Sequence, residues 1–219
     1  MERRLMITED GSHTVFVEGL EEPYHSTHGA LQESMHVFIR QGFFRVQWTS
    51  VRILELGFGT GLNALLTLVK GISSNKDIYY HSVEKYPLLE HEYNMLNYEK
   101  FLDREVEGTL QKLHNCPWGE AIKISDRFTL FKEESDFRTM NIPPDINLIY
   151  LDAFSPDKQA ELWTQKVIGS IAEQSVPGAV LVTYSSKGLV RRTLTSCGFH
   201  VEKVEGPPGK REMVRATKR

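Results

Sequence analysis

The sequence contains only two cysteines, Cys116 and Cys197, among 219 residues. They form no C-x-x-C pair and have no cluster of histidines near them, so the spacing typical of zinc sites is missing. Two isolated thiols also provide no disulfide framework, which is the usual situation in a reducing compartment. The sequence therefore predicts neither a metal site nor a disulfide-linked scaffold.

Long apolar runs are also lacking. No segment approaches the roughly 20 consecutive apolar residues that a membrane-spanning helix needs. The first residues, MERRLMITEDGSH, become polar before the core of a signal peptide could form. Hydrophobic residues at 40% and charged residues at 25% are ordinary for a globular protein. We therefore expect a soluble, cytoplasmic protein that has no membrane partner.

The chain has little net charge. Its formal value is −3, which does not by itself indicate nucleic-acid binding. The distribution is uneven, however, because the segment from Lys187 to Arg219 holds nine Lys or Arg and only three Glu. This basic end could be a solvated surface or a contact for an anionic partner.

From Val51 onward, short aliphatic runs alternate with longer mixed segments, which is typical of βα units on a parallel sheet. The predicted strands cover 51–56, 77–83, 128–131, 146–152 and 179–184, and the predicted helices begin at 62, 87, 162 and 189. Two further strands flank Gly206-Pro207-Pro208-Gly209 and predict an antiparallel hairpin. We predict an α/β fold for residues 51–219, with a mostly parallel seven-stranded sheet and this hairpin at one edge.

The first 50 residues stand apart from this pattern. They contain a predicted strand, TVFVE, and a predicted helix, GALQESMHVFIRQG, in which apolar residues recur at helical spacing. We expect residues 1–50 to form a small appendage that packs over the ligand side of the sheet.

Within residues 51–219, the predicted helix that begins at position 87 runs to about position 113.

The segment LELGFGTGLN places Glu55 and three glycines, Gly57, Gly59 and Gly61, between a predicted strand and a predicted helix. Glycines allow a ligand to approach the backbone closely. The dinucleotide pattern is G-x-G-x-x-G, but here the third glycine comes one residue early and Glu55 would repel a pyrophosphate. The pattern favours a cationic ligand that carries an adenosine and an amino acid, such as S-adenosylmethionine. A glycine turn with a structural glutamate is the simpler alternative.

Further acids follow the next strands. Glu84 ends the second strand, where doubly wound sheets place the carboxylate that binds both ribose hydroxyls; the alternative is a solvated glutamate beside Lys85. After the third strand, Glu133, Glu134 and Asp136 could each accept the adenine amino group. Of the three, Glu133 is predicted to accept the adenine amino group, because it is nearest to the predicted end of the strand.

Asp152 follows a buried strand and begins the segment DAFSP. Its carboxylate could accept a hydrogen bond from an amine nucleophile, take its proton, or cap the helix that follows. Methyl transfer to an amine requires an aligned neutral nitrogen and the exclusion of water, and a carboxylate stabilises the ammonium that forms. Phe154 could stack on a flat substrate.

Six segments occur in the order YHSTHGALQESMHVF, LELGFGTGLN, SVEKYPL, LDAFSPDKQAELWT, PGAVLVTYSSKGLVRRTLTSCGF and GKREM. Together, from about Tyr24 to Met213, they resemble the methyltransferase half of the bifunctional tRNA 5-methylaminomethyl-2-thiouridine biosynthesis proteins and their stand-alone relatives. The resemblance implies a Rossmann-like methyltransferase. Such an enzyme moves a methyl group from S-adenosylmethionine to an aminomethyl nitrogen on C5 of the wobble uridine of certain tRNAs.

The resemblance implies that Asp152 is the catalytic residue. Combined with the residue pattern, it gives the expected cofactor-binding set Glu55, Gly57, Phe58, Gly59, Gly61, Asn63, Glu84, Lys85, Glu133 and Asp152. The expected substrate-binding set is Tyr24, Glu33, Phe154, Tyr184, Lys187, Arg191, Arg192, Lys210 and Arg211. Three positions depart from the family pattern: Glu133 stands where an aspartate is common, and Gln159-Ala160 replaces the usual N-P of the loop.

The expected partner is tRNA, whose phosphates would contact the basic C-terminal segment while the target base turns into the pocket. The chain is too short to include the flavin oxidase that relatives carry, so we expect a separate upstream enzyme to supply the aminomethyl uridine. Two alternatives stay open. One is a small-amine methyl- or aminopropyltransferase, and the other is a non-catalytic RNA-binding module that keeps a relic pocket.

Overall fold

The computed structural model describes residues 2–103 and 106–219. Its strands are β1 (Arg3–Ile7), β2 (His13–Val17), β3 (Glu22–Pro23), β4 (Ser50–Leu56), β5 (Asp77–Glu84), β6 (Ala121–Ser125), β7 (Phe128–Glu134), β8 (Ile146–Leu151), β9 (Ser175–Thr183), β10 (Phe199–Glu205) and β11 (Glu212–Lys218). Its α-helices are α1 (Ala30–Ser34), α2 (Leu62–Ile72), α3 (Glu90–Tyr93), α4 (Thr109–Asn115), α5 (Gln165–Gln174) and α6 (Gly188–Ser196). Within these residues, no helix combines the length and the apolar composition needed to cross a membrane.

The central sheet has eight strands in the order β10-β11-β9-β8-β4-β5-β7-β6. The neighbours β9, β8, β4, β5 and β7 are parallel, whereas β11 runs antiparallel to β9 and to β10. The predicted α/β fold, with a mostly parallel sheet and a C-terminal hairpin, is therefore confirmed. The additional strand is β6, which lies at one edge and runs antiparallel to β7; the prediction of seven strands missed it because AIKIS is short and its alternating pattern is weak.

Apolar side chains cover both faces of the central strands. All six residues of β8 are buried, as expected for a strand with parallel neighbours on both sides. On one face, α2 and the N-terminal segment pack around Leu65, Phe38 and Tyr150. On the other face, α5 and α6 pack around Ile171 and Leu194. Each fully buried side chain of this size contributes about 1.5–3 kcal/mol, so the two layers hold the carboxyl ends of the strands in a fixed arrangement.

The N-terminal residues form a separate three-stranded antiparallel sheet in the order β1-β2-β3, followed by α1 and a π-helical turn at Met35–Arg40. The predicted strand and helix are both present here, although β1 and β3 were not predicted. This segment meets the C-terminal hairpin, since His36 Nε2 lies 2.8 Å from the carbonyl oxygen of Glu205. Elements distant in sequence thus approach each other at the carboxyl edge of the central sheet.

The predicted helix over 87–113 is wrong in its described part. The structure has the short α3, a 3-10 turn at Tyr98–Phe101 and then α4, while residues 104 and 105 lie outside the described residues. Asn97 explains part of this irregular path, because its side chain accepts a hydrogen bond from the His13 amide (2.8 Å) and donates one to the Gly11 carbonyl (3.0 Å). Bonds to the N-terminal sheet here replace the bonds of a continuous helix.

Candidate active site

A cavity of about 380 Å³ lies at the carboxyl ends of β4, β5, β7 and β8. The loops after these strands form its floor, and residues of the N-terminal segment and of the hairpin turn complete its wall. Open α/β sheets bind their ligands at this edge, and the volume falls within the ~300–1,000 Å³ of small-molecule sites. The cavity is therefore the candidate active site.

Most of the predicted site residues meet at this cavity. Those that line it are Tyr24, Glu33, Gly57, Phe58, Gly59, Asn63, Glu84, Lys85, Asp152, Phe154, Tyr184 and Lys210. They come from six separate stretches of the chain, so the fold assembles them from residues far apart in sequence.

The glycine loop after β4 is enclosed on two sides. Gly57 has φ +100°, and a Cβ there would lie 2.8 Å from the carbonyl oxygen of Asp152. Gly59 has φ +49°, and a Cβ there would lie 2.7 Å from Cδ1 of Tyr24. Both the backbone conformation and the space therefore require glycine. The loop forms a narrow cradle between the β8 loop and the Tyr24 ring.

Glu84 ends β5 at the wall of the cavity. Its Oε2 accepts a hydrogen bond from the Gly59 amide at 3.1 Å, and its Oε1 accepts one from the Tyr86 amide at 2.8 Å. A carboxylate oxygen has a second lone pair, so these backbone bonds orient the group and leave it able to accept hydroxyl hydrogen bonds.

Asp152 lies at the cavity floor, where the side-chain amide of Asn63 donates a hydrogen bond to its Oδ2 at 2.8 Å. Burial and the charge of Glu33 raise the pKa of Asp152, the bond from Asn63 and the charge of Lys210 oppose the increase, and the resulting pKa is about 7. This carboxyl group can therefore gain or lose a proton close to neutral pH, as an acid–base group must.

Glu33 faces the same end of the cavity. Its Oε2 accepts a hydrogen bond from the Ser26 amide at 2.6 Å, and its Oε1 pairs with the Lys210 ammonium at 2.7 Å. The Lys210 ammonium also lies 4.2 Å from the centre of the Tyr184 ring. This ion pair joins the N-terminal segment to the hairpin turn beside Asp152.

Aromatic rings form another part of the wall. Tyr24 and Phe154 meet edge to face with their centres 5.1 Å apart. The Tyr184 hydroxyl donates a hydrogen bond to the Ala153 carbonyl at 2.9 Å, which holds that ring beside Asp152. Flat apolar surface next to a carboxyl group suits a planar ligand that carries an amine.

The charged lining is mainly acidic. Its lysines are Lys85 and Lys210, and each is paired, with Asp136 (2.9 Å) and with Glu33 (2.7 Å) respectively. The lining acids are Glu22, Glu33, Glu84, Asp136, Asp152 and Glu161. The cavity therefore attracts a cationic ligand and repels a pyrophosphate.

Glu55 does not reach the cavity, contrary to the prediction that its carboxylate contacts the ligand. Its side chain is 1% exposed, and the Ser82 hydroxyl donates to its Oε2 at 2.6 Å. Burial raises the pKa of Glu55 to about 8, so it is largely a neutral acid at pH 7. Glu55 thus lies in the interior beside Ser82, the residue opposite it on β5.

Gly61 and Glu133 are also outside the cavity. Gly61 begins α2 and packs against Phe58, Leu110 and His114. Glu133 lies within β7, which extends to Glu134, and its carboxylate bonds to His81 Nε2 at 3.1 Å. Glu133, predicted to contact the ligand, therefore does not line the cavity.

Asp136 and Phe137 take the position that was predicted for Glu133. They follow the end of β7 and line the cavity. Asp136 was among the acids considered, and the actual length of β7 is what decides between them. The ion pairs with Arg138 and Lys85 hold the pKa of Asp136 well below its usual range, so it is a permanent carboxylate.

The other basic residues of the predicted substrate set lie away from the cavity. Lys187 pairs with Asp157 on the loop after β8. Arg211 is exposed in the hairpin turn. Arg191 and Arg192 line a different concave surface on α6. The structure thus separates the basic C-terminal segment into Lys210, which belongs to the cavity, and residues that do not.

Sequence reasoning missed His25 and Glu22. His25 lines the cavity with its ring nitrogen Nδ1 3.0 Å from the Thr14 hydroxyl, and burial lowers the pKa of the ring to about 4. Glu22 accepts hydrogen bonds from the Ser155 amide and hydroxyl, at 3.3 and 2.9 Å. Glu22 lies in the unpredicted β3, so the sequence offered no signal for it. His25, in contrast, stands within the segment YHSTH that carries part of the resemblance.

The fold and the cavity define a Rossmann-like α/β protein that binds a cationic nucleotide-like ligand at the carboxyl edge of its sheet. A family described as S-adenosyl-L-methionine-dependent methyltransferases matches residues 104–219, a little over half of the chain. The chain belongs to this family. The predicted enzyme class and the predicted cofactor, S-adenosylmethionine, are thus confirmed.

Individual relatives agree with this assignment. The chain is 33% identical to the tRNA 5-methylaminomethyl-2-thiouridine biosynthesis bifunctional protein MnmC of Burkholderia thailandensis, covering 96% of this chain and 34% of that protein. It spans about a third of the length of the curated relatives it matches.

Two solved structures are similar. MNMC2 from Aquifex aeolicus superposes with a TM-score of 0.80 at 28% identity, over 98% of this chain and 70% of that one. Spermidine synthase from Thermotoga maritima superposes with a TM-score of 0.59 at 10% identity, over 99% of this chain and 68% of that one. The second likeness shows the fold alone.

Proposed function

We propose that this methyltransferase transfers a methyl group from S-adenosylmethionine to the aminomethyl nitrogen on C5 of a tRNA wobble uridine, giving the 5-methylaminomethyl product. The observation that carries the proposal is Asp152, a carboxyl group that titrates near neutral pH between an acidic cavity and an aromatic wall. The description of the Burkholderia relative and the similarity to the Aquifex structure support the same reaction.

The cavity fits the cofactor in shape and in charge. The glycine cradle at Gly57 and Gly59 admits close backbone approach, and Glu84 is oriented to bind the ribose hydroxyls. In this proposal Asp136 and Phe137, rather than Glu133, border the adenine, and the support for it is that both line the cavity. When bound, S-adenosylmethionine supplies a methyl group activated by a positively charged sulfur, and the acidic lining is complementary to that charge.

Asp152 prepares the acceptor. A primary amine reaches the site mainly as an ammonium, whose nitrogen has no free lone pair. The Asp152 carboxylate accepts one proton from it, and the nitrogen then has the lone pair that methylation requires. Positive charge returns to the nitrogen as the new bond forms, and the Glu33 carboxylate, which lines the same cavity, stabilises it.

The aromatic wall positions the base. The rings of Tyr24, Phe154 and Tyr184 border the space beside Asp152, and unstacked RNA bases commonly stack on such rings. A uracil turned out of the RNA could lie against this wall with its C5 substituent toward Asp152. Stacking would thus fix the orientation of the amine.

The alternatives are not favoured. Aminopropyl transfer would agree with the spermidine synthase fold, but that likeness rests on 10% identity. Relatives at 30–33% identity are instead described as tRNA biosynthesis proteins. A non-catalytic RNA-binding module has no need of an acid–base group at the floor of a cofactor cavity.

We extend the proposal to the setting of the reaction. The enzyme would act on tRNA in the cytoplasm, after a separate enzyme has installed the aminomethyl group. Residues 1–50 would form an appendage to a methyltransferase domain at 51–219, which agrees with the separate sheet of β1, β2 and β3.

The direct test is methyl transfer from labelled S-adenosylmethionine to tRNA isolated from a strain that lacks this step. We expect label in the wobble uridine, identified by nucleoside mass spectrometry as 5-methylaminomethyl(-2-thio)uridine. Decarboxylated S-adenosylmethionine with small amines is the control for aminopropyl transfer. An absence of label in tRNA of verified aminomethyl content, with the cofactor bound, would refute the proposal.

Asn63→Ala should move the pH dependence of the reaction. The lost hydrogen bond stabilises the charged form of Asp152, so its removal raises the pKa of this carboxyl group above about 7. The acidic limb of the kcat profile should therefore shift toward higher pH, by roughly one unit. The measurement is kcat against pH at saturating substrates.

Thr67→Ala is the matched control for Asn63→Ala. The Thr67 hydroxyl donates a hydrogen bond to the backbone carbonyl of Asn63 and makes none to Asp152. Its profile should coincide with that of the wild type. A higher KM for S-adenosylmethionine with an unshifted limb in Asn63→Ala would show that Asn63 serves the cofactor alone.

A further inference from the structure

A second concave surface of about 450 Å³ lies between α6 and β10. Three cationic side chains, Arg191, Arg192 and Lys203, line it together with the hydroxyls of Thr195 and Ser196. Among the described residues that line it, none carries a carboxylate. We call this surface the α6 groove, and its lining has the groups that bind phosphate.

The local structure brings these residues to one place. Positions 191–192 and 195–196 are one helical turn apart, so they share one face of α6. On β10, alternation places Lys203 on the same face of the sheet as Phe199, which is fully buried. Lys203 thus lies at the end of the packed region between α6 and β10, and its side chain is 43% exposed.

The α6 groove adjoins the active-site cavity. β9 and β10 are both antiparallel to β11 and therefore run in the same direction, so Lys203 lies toward the carboxyl edge that holds the cavity. Tyr184 lines the cavity and Gly188 begins α6. Four residues of chain span at most about 14 Å. A phosphate near the reacting nucleotide in sequence can therefore reach the α6 groove.

One acid stands at the rim of the groove. The Glu212 carboxylate pairs with the Lys203 ammonium at 2.7 Å. This pair lowers the pKa of Glu212, and the charges of Arg211 and Arg191 lower it further. Glu212 therefore lies among several cations and partly neutralises the field that they produce.

We propose that the α6 groove binds the phosphodiester backbone of the RNA whose base enters the active-site cavity, through Arg191, Arg192 and Lys203. This inference rests on the proposed function. Guanidinium groups bind phosphate oxygens in pairs, and the Lys203 ammonium adds a third positive charge. Lys187 and Lys210, predicted for the same task, do not line the α6 groove and pair with Asp157 and Glu33 elsewhere.

The first test is the double variant Arg191→Ala/Arg192→Ala, measured by tRNA binding over a range of salt concentrations. We expect the Kd for tRNA to rise roughly 10-fold, and the slope of log K against log salt to become shallower by about 1 to 2. The control is Lys123→Ala/Arg127→Ala, which removes the same charge near the turn between β6 and β7 at the opposite edge of the sheet. It should bind tRNA as the wild type does.

The second test changes affinity in the opposite direction. Glu212→Gln frees Lys203 and removes a negative charge from the rim, so tRNA should bind several-fold more tightly and with a steeper salt slope. This gain cannot come from misfolding. If the groove double variant matches the control pair, or if Glu212→Gln weakens binding, the α6 groove is not the RNA contact.

These outcomes separate the two proposals. If the wild-type protein methylates tRNA but both tests fail, the inference about the groove falls and the proposed function stands. If the wild-type protein neither binds nor methylates tRNA of verified aminomethyl content, the proposed function itself falls.

Discussion

Asp152→Asn should lower kcat/KM for aminomethyl-containing tRNA by about 10³-fold, within the range that general acid–base catalysis supplies. Asparagine keeps the shape of the side chain and can still contact Asn63, but it cannot take a proton from the substrate ammonium. Only the small fraction of amine that arrives neutral could react. The affinity for S-adenosylmethionine, measured by calorimetry, should stay within a few-fold of the wild-type value, as should the affinity for tRNA.

Asp157→Asn is the matched control for Asp152→Asn. Asp157 lies on the same loop but is 74% exposed in its side chain and pairs with Lys187 outside the cavity. It should keep wild-type turnover. Turnover of Asp152→Asn above a tenth of the wild-type rate at pH 7, with the reaction shown to be rate-limiting, would exclude Asp152 as the base.

Raising the pH should partly restore the Asp152→Asn enzyme. More of the substrate amine is neutral at higher pH, so a base becomes less necessary. The wild-type rate should instead increase with pH through about 7, where Asp152 loses its proton, and then level off. A variant whose rate follows the wild-type profile at a reduced height would contradict this assignment.

Gly57→Ala should weaken S-adenosylmethionine binding by about 100-fold, a loss of about 2.7 kcal/mol. Two costs combine at this position. The φ of +100° is strained for alanine, and the new Cβ would lie 2.8 Å from the backbone oxygen of Asp152. The contact is with a backbone atom rather than with the end of a flexible side chain, so both the glycine loop and the loop that carries Asp152 must shift.

Gly119→Ala is the control that separates the backbone strain of a positive φ from the steric clash of a new Cβ. Gly119 has φ +80° with no heavy atom within 4 Å of a built Cβ, so alanine there meets only the left-handed strain of about 1–2 kcal/mol. Both variants should unfold at lower temperature, but only Gly57→Ala should lose cofactor affinity in calorimetry. Equal S-adenosylmethionine affinity in the two variants would mean that the cradle does not hold the cofactor.

Local patterns predicted much of the fold and part of the site. The aliphatic runs that became β4, β5, β8 and β9 are recognisable because parallel strands buried on both faces must be apolar. Gly57, Gly59, Glu84 and Asp152 follow directly from those strands, because residues just beyond a strand's carboxyl end lie at the ligand edge. Their placement at the cavity therefore needed only the correct strand ends.

The predicted bounds of the less distinct strands and helices were wrong. Glu133 was chosen over Asp136 because the third parallel strand was taken to end at 131, whereas β7 continues to Glu134. The helix predicted over 87–113 gave way to short turns because Asn97 bonds to the N-terminal sheet. Such partners lie more than 80 residues away and leave no trace in local periodicity.

The sequence by itself determined the parallel strands, the glycine loop and the two acids, Glu84 and Asp152, that the strand ends bring to the cavity, because each depends on residues that are neighbours in the chain. Only the tertiary structure decided which charges are available to a ligand. Glu55 became a buried neutral acid, Lys210 became the partner of Glu33, and Arg191, Arg192 and Lys203 came together in one groove. Burial and pairing set the charge and reach of a side chain, and both arise from contacts that form only when distant segments pack together.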